Sequence, residues 1–188
     1  MLIVMLTGLV MPGYSSLTQH MSELGTLDHP VASVLHVGAI ISGASVVLFG
    51  IGLLLHKSKS FGFTALAAII FGVAYVSGGI FHSGPLHGLY GLTMFYALVP
   101  ACFAAELPSA HRTRFLVKIS LLAAFLQLSY MCLMFSGFEP HAIRGLTQRA
   151  AALVIFGWYS VAGFNLLRSH VATSDILRNG SATAHAEG

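Results

Sequence analysis

Apolar residues recur along this chain in long, nearly uncharged runs, without the alternation of a strand or the narrow stripe of a surface helix. Pro30–Leu55, Phe61–Phe81, Pro85–Leu107 and Phe115–Gly137 each supply about 20 residues, enough as a helix to cross a hydrocarbon core of about 30 Å. A fifth run, Ala150–Leu167, is shorter. Met1–Tyr14 is apolar but short for a crossing at ~1.5 Å per residue. No basic residues precede it, as a signal peptide would require, so it reads as a first helix that continues into Ser15–Met21 and tilts or thins the bilayer. The pattern predicts an all-α integral membrane protein: a six-helix bundle over residues 1–170 with helices at about 1–21, 30–55, 61–82, 85–107, 115–137 and 144–167. The polar segment 171–188 is expected to be a disordered cytoplasmic tail.

Composition strengthens this picture and charge orients it. Apolar residues make up 56% of the chain and charged ones 8%, where soluble domains have roughly 45–50% and ~25%. Lys57 and Lys59 fall between helices two and three, Arg112, Arg114 and Lys118 between four and five, and Arg168 and Arg178 in the tail. The opposite side has only Arg144 and Arg149, beside Glu23, Asp28 and Glu139. Basic residues are retained on the cytoplasmic side, so both termini are expected there, in a bacterial inner membrane. The net charge of +3 is mostly this signal, and no basic patch points to nucleic acid. Cys102 and Cys132 are expected about 15 Å apart in depth by helix rise, beyond disulfide reach.

Polar residues concentrate on the outer side. In "GGIFHSGPLHGLYG", Gly84-Pro85 makes a turn that sets His82 and His87 at the ends of helices three and four. The first loop, "YSSLTQHMSELGTLDHP", brings Ser16, His20, Ser22, Glu23 and His29, with His36 about two turns into helix two. The last loop, "GFEPHAIRGLTQR", adds Glu139, Arg144, Gln148 and Arg149. The bilayer centre is almost free of ionisable groups, which counts against a transporter with a charged pathway. Gly38, Ser42, Ser45, Gly72, Gly78, Gly79, Gly157 and Gly163 suit close helix packing.

"PGYSSLTQHMSELG" before Pro30, His87-Gly88 opening a later helix and "GLTQR" before the last helix resemble the bacterial membrane family known as domain of unknown function 998, over about Met11 to Leu167. The resemblance implies a six-helix bundle with shared polar residues at one membrane face, and no reaction. Where that family has Phe-Pro-x-Asp, this chain reads Phe81-His82-Ser83-Gly84, so the acid is missing. A weaker likeness to Frag1/DRAM-type membrane proteins raises the expectation of lipid handling.

Three arrangements of the outer cluster follow. In one, His36, His82 and His87, or His20 and Glu23, hold zinc or another transition metal, and a metal-bound water would hydrolyse lipid. A haem between His36 and His87 is a variant. Ser16-Leu-Thr-Gln-His20 is similar to the Ser-x-x-x-His pattern of ceramidase-type hydrolases. In the second, Glu23 pairs with Arg149 or Arg144, Gln148 satisfies loop carbonyls and the loop is knitted onto the bundle, as in an accessory subunit with protein partners in a membrane complex. In the third, Ser22, Glu23, His87, Arg144, Gln148 and Arg149 line an outward pocket for an amphipathic ligand, a membrane lipid or a quinone. The third needs the fewest assumptions and is the leading expectation.

Overall fold

A computed structural model describes residues 6–27, 29–57, 60–81, 83–109 and 112–186, with side chains through 168 apart from 31, 56 and 57. The described residues form helices and connecting turns, with no strand. The order is a short helix α1 (Met21–Gly25), α2 (Pro30–Lys57), α3 (Gly62–Ile80), a 3₁₀ segment (Leu92–Ala97) running into α4 (Val99–Glu106), α5 (Arg114–Phe135) and α6 (Arg144–Ala186). Ala32–Leu55, Gly62–Ile80, Arg114–Phe135 and Arg144–Arg168 are long and apolar enough to cross a membrane. Ile41, Leu48, Phe63, Phe115, Phe125, Leu153 and Phe164 lie exposed on their outer faces. An apolar surface this extensive belongs against hydrocarbon, and the protein is a membrane protein.

Close backbone contact joins α2 to α3. A Cβ on Gly72 would lie 2.7 Å from the Gly43 carbonyl oxygen, one on Gly79 2.8 Å from that of His36, and one on Gly50 2.9 Å from that of Ala65. In lipid, helices gain little from apolar burial alone, so this van der Waals seam carries much of their association. The small residues anticipated for packing on the last helix behave differently: Gly157 and Gly163 face open space. That helix packs instead through Trp158, buried edge-on against Phe103, its Nε1–H donating to Ser120 Oγ at 3.0 Å.

Two expected helices are not continuous. Residues 1–5 lie outside the described residues, but from Gly8 to His20 the chain is turns and loop, so no helix runs through to Met21. Pro12 removes a donor, and Gly13 takes φ +74, which breaks helical continuation. The expected helix at 85–107 begins as a run of turns, passes through 3₁₀ geometry and becomes α-helical only at Val99. Gly88, Leu89, Tyr90 and Gly91 all have positive φ, at 73°, 48°, 54° and 86°. Leu89 and Tyr90 are strained there, because a Cβ disfavours the left-handed region.

The far end of this broken segment is firmly placed. The Glu106 carboxylate accepts from the backbone N–H groups of Phe63 and Thr64, each at 2.8 Å, and from Thr64 Oγ1 at 2.6 Å. It thereby satisfies amides that the start of α3 leaves free. At the other end, a Cβ on Gly78 of α3 would lie 3.5 Å from the Gly88 nitrogen. Residues 83–106 therefore return antiparallel along the whole of α3. The polar segment 171–188 was expected to lack structure, yet helix continues to Ala186; extending an existing helix needs no new nucleus.

Gly72→Ala is expected to destabilise the detergent-solubilised protein by roughly 1–3 kcal/mol, since the added methyl meets backbone that cannot move aside. Gly157→Ala should leave the melting temperature unchanged or raise it, because it only adds helix propensity. Thermal melts of the two variants side by side test whether the seam lies between α2 and α3.

Candidate functional site

At the end of the bundle where α6 begins, the first loop folds back onto the helix start through contacts to its backbone and to the side chains of Tyr14, His20 and Glu23. Gly145 and Leu146 donate their N–H groups to the Leu17 carbonyl, at 2.9 and 3.1 Å. Arg144 Nε–H donates to the Thr18 carbonyl at 2.7 Å. Its guanidinium also pairs with the Glu23 carboxylate at 2.9 Å, while Glu23 accepts the His20 N–H at 3.1 Å to cap α1. Of the two partners anticipated for Glu23, the structure selects Arg144.

Arg149 is only 8% exposed and collects the loop's carbonyls. One terminal nitrogen donates to the carbonyls of Ser16, Gln19 and Gly145, at 2.7, 3.3 and 2.8 Å. The other donates to Tyr14 Oη at 2.9 Å. The guanidinium carbon also sits 5.7 Å from the centre of the Tyr14 ring, within cation–π range. Tyr14 passes the connection on, its hydroxyl donating to the carbonyls of Gln19 and His20. A planar five-donor fork suits this work, which an ammonium does less well.

Gly145 makes the close approach feasible, for a Cβ there would stand 2.3 Å from the Gln19 oxygen and 2.6 Å from the Ser16 oxygen. Gln148 accepts the Met21 N–H through its Oε1, the reverse of the expected donation to loop carbonyls. A second tie runs through Glu139, which meets His20 Nε2 at 3.0 Å and accepts from the Thr147 hydroxyl. The loop is closed by burying Tyr14, Met21 and Leu24.

Beneath this roof lie two adjoining cavities. One, about 210 Å³, is walled by Phe71, Tyr75, Tyr96, Tyr130, Ala152 and Phe156. The other, about 220 Å³, reaches Ser22, Leu35, Gly78 and His87. Met21, Tyr75, Thr93 and Gln148 line both. Among the described residues neither has an Asp, Glu, Lys or Arg in its wall. The hydroxyls of Tyr96 and Tyr130 are buried and find no hydrogen-bond partner among the described residues. The strained turn at 88–91 runs along the edge of this space, and irregular backbone at membrane depth is tolerated where it lines a cavity.

The residues anticipated for the site divide in two. Ser22, His87 and Gln148 line the cavity, with His87 exposed at its mouth. Glu23, Arg144 and Arg149 secure the roof through the contacts given above. His87 was expected to receive a bond from the first loop, but its Nδ1 instead faces the Phe81 carbonyl at 2.9 Å. A carbonyl only accepts, so Nδ1 carries the proton, and in the neutral ring Nε2 is an acceptor.

Of the donors named for a metal, His82 lies outside the described residues. His36 faces a separate groove beside His29 and Ser83, its Nε2 donating to the Gly25 carbonyl at 3.0 Å. Among the described residues no three His, Cys, Asp or Glu side chains come together. Ser16 Oγ likewise has no hydrogen-bond partner among them, so Ser16 and His20 do not form a nucleophile–base pair. Sequence patterns gave no notice of Tyr96, Thr93 and Met21 as cavity residues. The signal that was available is a phenol within an apolar run, a polar group that needs a partner.

Fold and site define a helical integral membrane protein with a cavity beneath its first loop. Residues 1–165 match the family model described as protein of unknown function (DUF998), and the chain belongs to that family. No curated protein and no solved structure matches it.

Arg149→Met should abandon the carbonyls of Ser16 and Gln19 and cost about 3 kcal/mol or more, given the strength of hydrogen bonds to a charged group. Glu23→Gln removes only a half-exposed pair and should cost less than about 1 kcal/mol. Hydrogen exchange over residues 15–25 should accelerate strongly in the first variant and little in the second.

Proposed function

We propose that this protein binds an amphipathic ligand, of the lipid or quinone kind, in the loop-roofed cavity, with the mouth toward the outer face of a bacterial inner membrane. The observation that carries this is the coincidence of apolar walls with buried phenol hydroxyls that have no partner among the described residues, in one cavity. Sites for small ligands are mostly apolar with a few convergent polar groups, and a buried hydroxyl left without a partner costs about 1–3 kcal/mol. A ligand that supplies an acceptor and fills the space recovers both terms. Ser22, His87 and Gln148 stand at its entrance.

The orientation rests on charge. Lys57, Arg112, Arg114, Lys118 and Arg168 belong to the end away from the roof. The two arginines on the roof side are held by their own carbonyl and carboxylate contacts. By the retention of basic residues, the roof is periplasmic and the C-terminus cytoplasmic. The crossings are α2, α3, the broken segment 83–106, α5 and α6.

Native mass spectrometry of protein released from membranes tests the proposal. A bound small amphiphile should be retained by the native chain and lost from Ala152→Phe, which fills the cavity walled by Phe71, Tyr96 and Tyr130. The same adducts at the same occupancy on a folded Ala152→Phe variant would show that the cavity is not the site. A C-terminal fluorescent protein that matures only in the cytoplasm should light up; a dark fusion at normal expression would reverse the orientation.

A further inference from the structure

The cavity's chemistry narrows its ligand, an inference that rests on the cavity being a binding site. The chamber walled by Phe71, Tyr96 and Tyr130 is lined, among the described residues, by side chains that carry no formal charge, and its neighbour adds the His87 imidazole. Arg144 and Arg149, the cations nearest in sequence to its α6 wall, are engaged with the loop. An anionic headgroup placed here would be buried without a counter-charge, at a cost of several kcal/mol.

What the walls do offer is proton donors. Tyr96 is 8% exposed, and its hydroxyl and that of Tyr130 are both buried with no partner among the described residues. They come from different elements, the 3₁₀ segment and α5, onto one chamber. Each phenol has a single proton that seeks an acceptor. Around them stand aromatic faces: Phe71, Tyr75 and Phe156 are mutually tilted, with ring centres 5.3 to 6.2 Å apart. Such rings favour a flat, apolar body. Each chamber is also smaller than the roughly 300–1,000 Å³ of sites for drug-sized ligands, which suits a single-ring head better than a branched glycerol headgroup.

We infer that the site takes a neutral, carbonyl-bearing ring of the quinone class, whose carbonyl oxygens accept from Tyr96 and Tyr130, and that it rejects anionic phospholipid heads.

Trp158 is the only tryptophan of the chain and reports on the chamber. Its ring lies 5.0 Å from Tyr159, which stacks at 6.4 Å on Phe71 of the cavity wall. The probe is decylubiquinone, titrated into native protein in a neutral detergent while tryptophan fluorescence is followed. Saturable quenching is expected, unaffected by added dioleoyl phosphatidylglycerol. In Tyr96→Phe/Tyr130→Phe, which keeps the rings and removes both hydroxyls, the apparent Kd should rise at least tenfold with no fall in melting temperature.

Quenching that saturates equally in the double variant would overturn the assignment of the phenols, and reversal by the phosphatidylglycerol would overturn the neutral head. Absence of saturable quenching would overturn the quinone class. If Ala152→Phe still sheds a copurified amphiphile in the mass spectrum, that last result leaves the cavity as a site for another ligand. If it does not, the cavity reading falls as well.

Discussion

A stretch of loop at a membrane surface has many carbonyls and no regular structure of its own to satisfy them, and the rest of the site depends on how this is met. The buried guanidinium of Arg149 binds Ser16, Gln19, Gly145 and Tyr14 at once. With those contacts made, Met21 and Leu24 can be pressed into the bundle, and Met21 becomes part of the cavity roof. Both terminal nitrogens of that guanidinium are given to the loop, and the cavity walls beneath have no charged side chain among the described residues.

The broken segment supplies the complementary half. A straight helix from 85 to 107 would present its side chains at fixed intervals against α3. Four consecutive residues with positive φ instead turn the chain before it enters the bundle, and the following 3₁₀ residues carry Thr93 and Tyr96 to the cavity wall. Strain at Leu89 and Tyr90 persists because the surrounding structure holds both ends, with Glu106 bonded to the start of α3 and the Gly88 backbone close to Gly78.

The membrane character was plain in the sequence because a span needs only length and the absence of charge, both visible residue by residue. The gathering of first loop and "GLTQR" at one face was likewise legible, since the polar residues had no other level at which to lie. The choice of Arg144 over Arg149 for Glu23 was not, because it depends on the path of loop backbone that has no periodicity. Nor was the break in the fourth helix. Gly88 and Gly91 permit a turn, but Leu89 and Tyr90 between them argue locally for helix, and only packing overrides that preference. The cavity escaped notice for a related reason: Tyr75, Tyr96 and Tyr130 are far apart in sequence, and each alone resembles ordinary aromatic filling.

The partners that Arg149 joins are separated by 133 residues from Ser16 and 135 from Tyr14, which gives the assembly a direction in time. A ribosome adding about 5–20 residues per second releases the first loop roughly seven to twenty-seven seconds before the arginine that will anchor it. Throughout that interval the early helices can already associate along their glycine seam while the loop's carbonyls remain with water. The chamber is thus the last part of the molecule to be completed, and a nascent chain arrested before its final helix would have a membrane-inserted body without an enclosed interior.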